Sequence, residues 1–212
     1  YGARASILVG VLTTMVVLFF GSLLGVIAAF YGRYTDSVLS RVTDIFYSIP
    51  LFLGAVLVLT SFPSGTNPPL LETVGKVVLA LAILGWPTFF RLMRSSVLGV
   101  KQADYIQAAR AMGASAPRII RRHLIPNSLA PVIVVATISL GGYIGLEATL
   151  SFLGIGLQPP VVSWGIMIAD AQTYIRVAPH MLLFPAAFLS LTVLAFILMG
   201  DAVRDALDPK LR

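Results

Sequence analysis

The stretch SILVGVLTTMVVLFFGSLLGVIAAFY, residues 6–31, contains no charged side chain. Crossing roughly 30 Å of hydrocarbon takes about 20 helical residues, so this one block is long enough to span a bilayer. Moving outward along the chain, four further apolar blocks of similar length occupy residues 37–62, 73–98, 128–150 and 179–202, separated by short polar islands. The blocks are uniformly apolar. A spanning β-barrel needs short alternating segments instead, so the reading is all-α, a polytopic membrane protein with five transmembrane helices in a single domain over residues 1–212.

Composition agrees. The chain is 58% hydrophobic and 11% charged, with a mean hydropathy of +0.92, against roughly 25% charged residues in soluble domains. Its formal charge of +6 does not point to nucleic acid, because the cations lie at the ends of apolar blocks, as topology signals do. With no cysteine, disulfides and thiolate metal sites are excluded. His123 and His180 are far apart in sequence and lack a metal-ligand spacing, so no metal site is expected.

The turns divide the blocks. In YGRYTDS, residues 31–37, Gly32 is suited to end one helix and Thr35 or Asp36 to cap the next. FPSGTNPPLLE, residues 62–72, reads as a loop, while residues 151–178 are too long for a turn and are expected to hold a short interfacial helix with Trp164 at headgroup depth. Pro50, Pro87 and Pro185 are expected to kink or interrupt their helices. Asp44, one turn beyond Arg41, is expected to form a local ion pair with it.

Charge sets orientation. Putting the first turn, the central basic segment and the C-terminus on one side collects 12 of the 15 Lys and Arg residues there, leaving only Arg4, Lys76 and Arg176 opposite. The positive-inside rule makes the rich side cytoplasmic, C-terminus included. Five spans then place residue 1 outside, which predicts one further span before this sequence.

The central segment, YIQAARAMGASAPRIIRRHLIPN at 105–127, interrupts the apolar pattern within a loop of about 101–127. Asp104 reads as an N-cap and Gly113 as a C-terminal stop; Ser115 and Pro117 begin a second short helix that Pro126 ends. An eight-residue helix needs tertiary contacts to persist. Tyr105, Ala108, Ala109 and Met112 share a face suited to a groove in another protein. The four arginines of the segment equally suit anionic headgroups.

The spacing of Gln107, Ala108, Ala109, Gly113, His123, Ile125 and Pro126 resembles the Glu-Ala-Ala loop of permease subunits of ATP-binding-cassette importers, with Gln107 in place of the Glu. Together with RLMRSSVLGVKQADYIQAARAMGAS, LEATLSFLGIGLQPPVVSWG and GDAVRDALDPKLR, it is most similar to the second permease of the dipeptide and oligopeptide branch. That resemblance implies a six-span permease of the bacterial or archaeal cytoplasmic membrane, working by alternating access. It implies a coupling helix, Tyr105 to Met112, whose Tyr105, Gln107, Ala108, Ala109, Met112 and adjoining Gly113 contact an ATPase. The implied partners are a second permease, two ATPase subunits or domains carrying ATP and Mg, and an extracytoplasmic binding protein docking in part on residues 151–178.

The chain itself lacks a phosphate-binding loop; ETVGKVV, residues 72–78, has neither the upstream Gly nor the following hydroxyl. No catalytic residue or cofactor is therefore assigned, and the chain is a transport subunit, not an enzyme. Glu147 is a candidate for the outer pathway, with a structurally paired carboxylate as the alternative. Peptides are the first cargo, nickel and glutathione the alternatives within the family. A stand-alone secondary transporter or channel would explain the hydrophobicity but not the central segment.

Overall fold

The computed structural model describes residues 2–62 and 69–207. Helices α1 (Gly2–Tyr31), α4 (Leu70–Lys101), α7 (Ile125–Phe152) and α9 (His180–Leu207) follow the first, third, fourth and fifth apolar blocks. Each is long and apolar enough to cross a membrane, α7 being counted with the helical residues before it. The described residues include no strand.

The second block departs from a straight span. It is split into α2 (Arg33–Tyr47) and α3 (Leu51–Ser61), bent by 81°. Pro50 has no N–H to give α2, and it disfavours helical geometry at the residue before it. It instead opens α3, accepting at its carbonyl the N–H of Gly54 at 2.9 Å. The eleven residues of α3 rise only about 17 Å, short of a bilayer, so the fifth span exists only if the bent pair is counted as one. Pro87 and Pro185, by contrast, lie inside α4 and α9, which continue through them.

Packing centres on α1, α4 and α7, with α9 laid on the far side of α7. The most extensive joint is α1 on α4. A Cβ at Gly21 would come 2.6 Å from the Trp86 carbonyl oxygen and 2.7 Å from the Phe89 Cβ; one at Gly25 would come 2.7 Å from the Phe90 carbonyl oxygen. The Gly-x-x-x-Gly spacing thus removes side chains where two backbones meet, the way helices associate where lipid supplies no hydrophobic drive. Around that joint Val9, Val17, Leu81, Phe89 and Met93 are buried.

Gly32, at φ 63°, ends α1 as expected, but α2 begins directly at Arg33 with no side-chain cap, so neither Thr35 nor Asp36 caps it. Asp36 and Asp44 instead reach across to α4. Arg94 binds Asp36 in a two-pronged pair, Nη2 to Oδ2 at 2.6 Å, and Arg91 Nη2 lies 2.7 Å from Asp44 Oδ1 while stacking on the Tyr47 ring. The expected Arg41–Asp44 pair is replaced by this longer-range one, because α4 carries a cation where Asp44 meets it. Residues 63–68, most of the expected loop, and 208–212 lie outside the described residues.

Between α7 and α9 the expected short helix is α8 (Trp164–Ala171), followed by a 3₁₀ turn at Gln172–Tyr174. It packs on α7, α9 and α1, and Trp164 is 6% exposed. Trp164 therefore belongs to the protein interior, not to a headgroup belt. The larger apolar area of its ring is satisfied by the neighbouring helices instead of the interface.

Candidate functional site

The central segment forms two short helices at the end of the bundle where α1 stops and α4 stops. Lys101, the last residue of α4, donates from Nζ to the carbonyls of Ala29 and Phe30, both at 2.8 Å. These are otherwise unsatisfied C-terminal carbonyls of α1, and a cation there also suits the helix dipole. The side chain thereby fixes where α5 (Asp104–Ala111) begins.

Asp104 is the first residue inside α5; Ala103 occupies the cap position and no side chain caps it. Its carboxylate acts through the dipole of the first turn, with Arg110 in the last turn matching it. Gly113, at φ 82°, ends the helix as predicted. The N–H of Ala114 reaches the Ala109 carbonyl at 3.0 Å and that of Gly113 reaches the Arg110 carbonyl at 2.9 Å, the Schellman pair that a left-handed residue permits.

Helical periodicity alone groups Ala109 with Tyr105, Ala108 and Met112 on one outward face. Here Ala109 turns inward and is 6% exposed, beside Ile106 at 0%. The reason is Ile106, absent from that face assignment: it is the one large aliphatic residue of the helix, and burying it rotates Ala109 toward the bundle. Tyr105, Gln107, Ala108, Met112 and Gly113 remain exposed, Met112 at 82%. Gln107 donates to the Gln102 carbonyl at 3.3 Å, so its outer turn is also tied back to the end of α4. The Tyr105 and His123 rings stand 6.2 Å apart.

The second short helix, α6 (Ala116–Ile119), starts after Ser115 with Pro117 in its first turn. It does not end at Pro126. A π-helical turn over Ile120–Leu124 carries it into α7, so the helical path runs unbroken from Ala116 to Phe152. The wide turn displaces the regular ladder just upstream of Pro126, where the proline has no N–H to offer. Asn127 Nδ2 donates to the His123 carbonyl at 2.6 Å. Buried Ile119 and Leu124 anchor this arm, and Arg118, Arg121 and Arg122 stay exposed.

Glu147, the candidate pathway residue, is 0% exposed near the far end of α7. Its Oε1 accepts the Ser151 hydroxyl at 2.7 Å; that hydroxyl in turn accepts the Leu157 N–H at 2.9 Å. The side chains of Ser6 and Ser163 stand beside the same carboxyl, and their oxygens accept the N–H groups of Trp164 and Ile166, each at 3.3 Å. The three serines thus join α1, α7, the following loop and α8 around one carboxyl. Oε1 is thus paired while Oε2 is buried without a hydrogen-bond partner among the described residues; serines at i+4 and at two distant positions are not separable in sequence from ordinary small residues. Among the described residues no cluster of His, Asp and Glu could hold a metal, and the Gly75-Lys76 fragment lies within α4, where Lys76 pairs with Glu72 at 2.8 Å.

A short helix with a stop glycine is thus held on the end of a helical membrane bundle, and the arm that follows it enters a span. A family model described as "Binding-protein-dependent transport system inner membrane component" matches residues 21–212. The chain belongs to that family. This permease is 42% identical over 213 residues to the dipeptide transport system permease protein DppC of Alkalihalophilus pseudofirmus, covering 100% of this chain and 67% of that protein. It is 39% identical to the glutathione transport system permease protein GsiD of Pectobacterium atrosepticum and 36% to the oligopeptide transport system permease protein OppC of Bacillus subtilis, in each case over 100% of this chain and 67% of the relative. Among solved structures, an inward-facing MetNI methionine ABC transporter chain superposes with a TM-score of 0.74 at 21% identity, covering 98% of the permease and 94% of that chain. A chain of an amino acid ABC transporter gives 0.59 at 19% identity, covering 92% and 89%. These two establish the shared fold.

Proposed function

We propose that this permease carries short peptides inward across the cytoplasmic membrane by alternating access, driven by ATP hydrolysis in partner subunits. A second permease of similar fold completes the pathway. Two ATPase subunits or domains, with their ATP and Mg, supply the energy. An extracytoplasmic binding protein delivers cargo, with residues 151–178 forming part of its dock. The α5 end of the bundle faces the cytoplasm, as does the C-terminus, in keeping with the collection of Arg and Lys on that side.

The observation that carries this reading is the two-sidedness of α5. Ile106 and Ala109 are buried in the bundle, while Ala108 and Met112 project outward and Tyr105, its ring 6.2 Å from that of His123, is also exposed. A helix of eight residues held by only one side transmits force from a docked neighbour to α4 and α6 without melting. In this role Gln107 and Gly113 border the contact, and Ala109 supports it from behind. Short peptides as cargo follow from the dipeptide and oligopeptide relatives, and the glutathione relative falls in the same chemical class, since glutathione is a tripeptide. Reconstitution of the whole assembly in vesicles tests this: di- and tripeptides presented with the binding protein should raise ATP turnover and enter the lumen. Stimulation by a metal ion or a non-peptide solute, with peptides inert, would reject the cargo assignment.

A further inference from the structure

A second cavity, unlike the apolar ones along the spans, opens where α4 gives way to α5. It has a volume of about 520 Å³ and is lined by Leu98, Lys101, Gln102, Gln107 and Arg110. Its two cations converge: Lys101 Nζ lies 5.8 Å and the Arg110 guanidinium carbon 5.9 Å from the centre of the same Phe30 ring. The carbonyls of Ala29 and Phe30 orient the Lys101 ammonium but, being neutral, leave its charge uncompensated. Among the described residues neither cation pairs with a carboxylate. Asp36, whose charge reaches Lys101, is already held by Arg94.

We infer that this cavity receives a carboxylate side chain of the ATPase subunit docked on α5, held between the Arg110 guanidinium and the Lys101 ammonium; the inference rests on the coupling role proposed for α5. Like charges gathered at one opening repel, and a carboxylate between them replaces that repulsion with two attractions. The guanidinium offers a planar fork matched to the two oxygens of a carboxylate, and the ammonium acts beside it as a point charge. None of the lining residues is acidic. At position 107, where the resembled motif carries Glu, this chain has Gln, so the acid that completes the cavity has to come from outside its lining. Two features select protein over lipid as its source. Leu98 is the one aliphatic residue of the lining, which leaves an acyl chain no wall to follow. Gln107 belongs both to the lining and to the exposed side of α5 next to Ala108, so the cavity continues the face on which the ATPase docks.

The test uses the complete transporter in nanodiscs and a zero-length carbodiimide, which joins a carboxylate to an amine only where the two touch. R110K puts a reactive amine in the cavity and should become linked to one Asp or Glu of the ATPase subunit, located by mass spectrometry of the joined peptides. R110E should lower the affinity of the permeases for the ATPase subunits about tenfold, and Lys at the mapped acid should restore it. R118Q, which changes charge in α6 outside the lining, should leave that affinity unaltered. A link from R110K to carboxylates of this chain alone, or to none, would overturn the site. Equal weakening by R110E and R118Q, or no recovery on exchanging the charges, would do so too. Loss of the link when phosphatidylglycerol replaces phosphatidylcholine would give the cavity to a lipid headgroup and likewise overturn it. Capture of the ATPase at Met112→Cys with no link at R110K rejects the cavity and leaves the coupling role standing; capture at neither rejects both. R110K keeps the positive charge, so the link reads the site even if R110E fails to assemble.

Discussion

Arg94 and Asp36 bind each other through two hydrogen bonds, Nε to Oδ1 and Nη2 to Oδ2, with side chains only 32% and 21% exposed. Eight residues further along α2, Asp44 pairs with Arg91, but there the side chains are 64% and 48% exposed. The two pairs hold the same two helices in different surroundings.

That contrast fixes a first prediction. Asp36→Asn leaves Arg94 partly buried without its charge partner and should cost about 1–3 kcal/mol; Asp44→Asn should cost about 0–1 kcal/mol, as exposed pairs do. Denaturant titration of the purified assembly, following α2 with a site-specific fluorophore, compares them. Equal losses from the two would mean that burial does not set the strength of these pairs.

Close approach of α1 to α4 gives the second. Gly21→Val should destabilise by about 1–3 kcal/mol through overpacking, because its Cβ meets the backbone of Trp86 and the Cβ of Phe89, neither of which is a flexible side-chain end. Gly75→Ala, where an added Cβ meets nothing within 4 Å, should be neutral or stabilise by about 0.5–1 kcal/mol through helix propensity. Thermal unfolding in detergent, scored by loss of co-purifying partners, orders the two variants; Gly75→Ala proving the more damaging would remove the packing explanation.

Gly113 bears on coupling. No atom lies within 4 Å of a Cβ added there, yet φ is 82°, so Gly113→Val acts through backbone strain of about 1–2 kcal/mol and not through a clash. Gly113→Asn, which tolerates the left-handed region better, should retain most function. In vesicles, Gly113→Val should lose peptide-stimulated ATP turnover and uptake together while the assembly stays intact. Valine and asparagine variants behaving alike would show that the left-handed turn is dispensable.

The carboxyl hub yields the fourth. Ser151→Ala removes the donor to Glu147 and strands the buried Leu157 N–H, a loss of about 1–3 kcal/mol. Hydrogen exchange should report it locally, with faster exchange at Leu157 and through α8 than in α4. Uniform acceleration across the chain, or none, would separate Ser151 from the loop it is assigned to hold.

Much of this was legible in sequence, for physical reasons that differ by residue. An uncharged run such as residues 6–31 has one solution in a bilayer, and Gly113 is readable because a helix stop asks for a left-handed residue. The 37–62 block was misleading. Its hydropathy averages a polar half holding Arg41 and Asp44 with an apolar one, and only Pro50 marks the 81° bend between them. Pro126 read as a stop because the π-helical turn that accommodates it has no local signature. Ala109 reads as outward from sequence because helical periodicity defines faces but not which face the bundle takes. Ile106 decided that, and the carbonyls capped by Lys101 come from α1, some 70 residues earlier in the chain. Such long-range partners are invisible to any window along the sequence.

The most direct measurement of the coupling role is cysteine crosslinking from α5 in the full transporter, comparing Met112→Cys and Ala108→Cys with Ile106→Cys. Met112→Cys and Ala108→Cys should each capture an ATPase subunit through a short bifunctional reagent, with yields that change between nucleotide-free and ATP-bound states, while Ile106→Cys captures nothing outside its own chain. Capture of lipid or solvent-borne reagent alone at Met112 and Ala108, with no ATPase subunit linked in either nucleotide state, would contradict it.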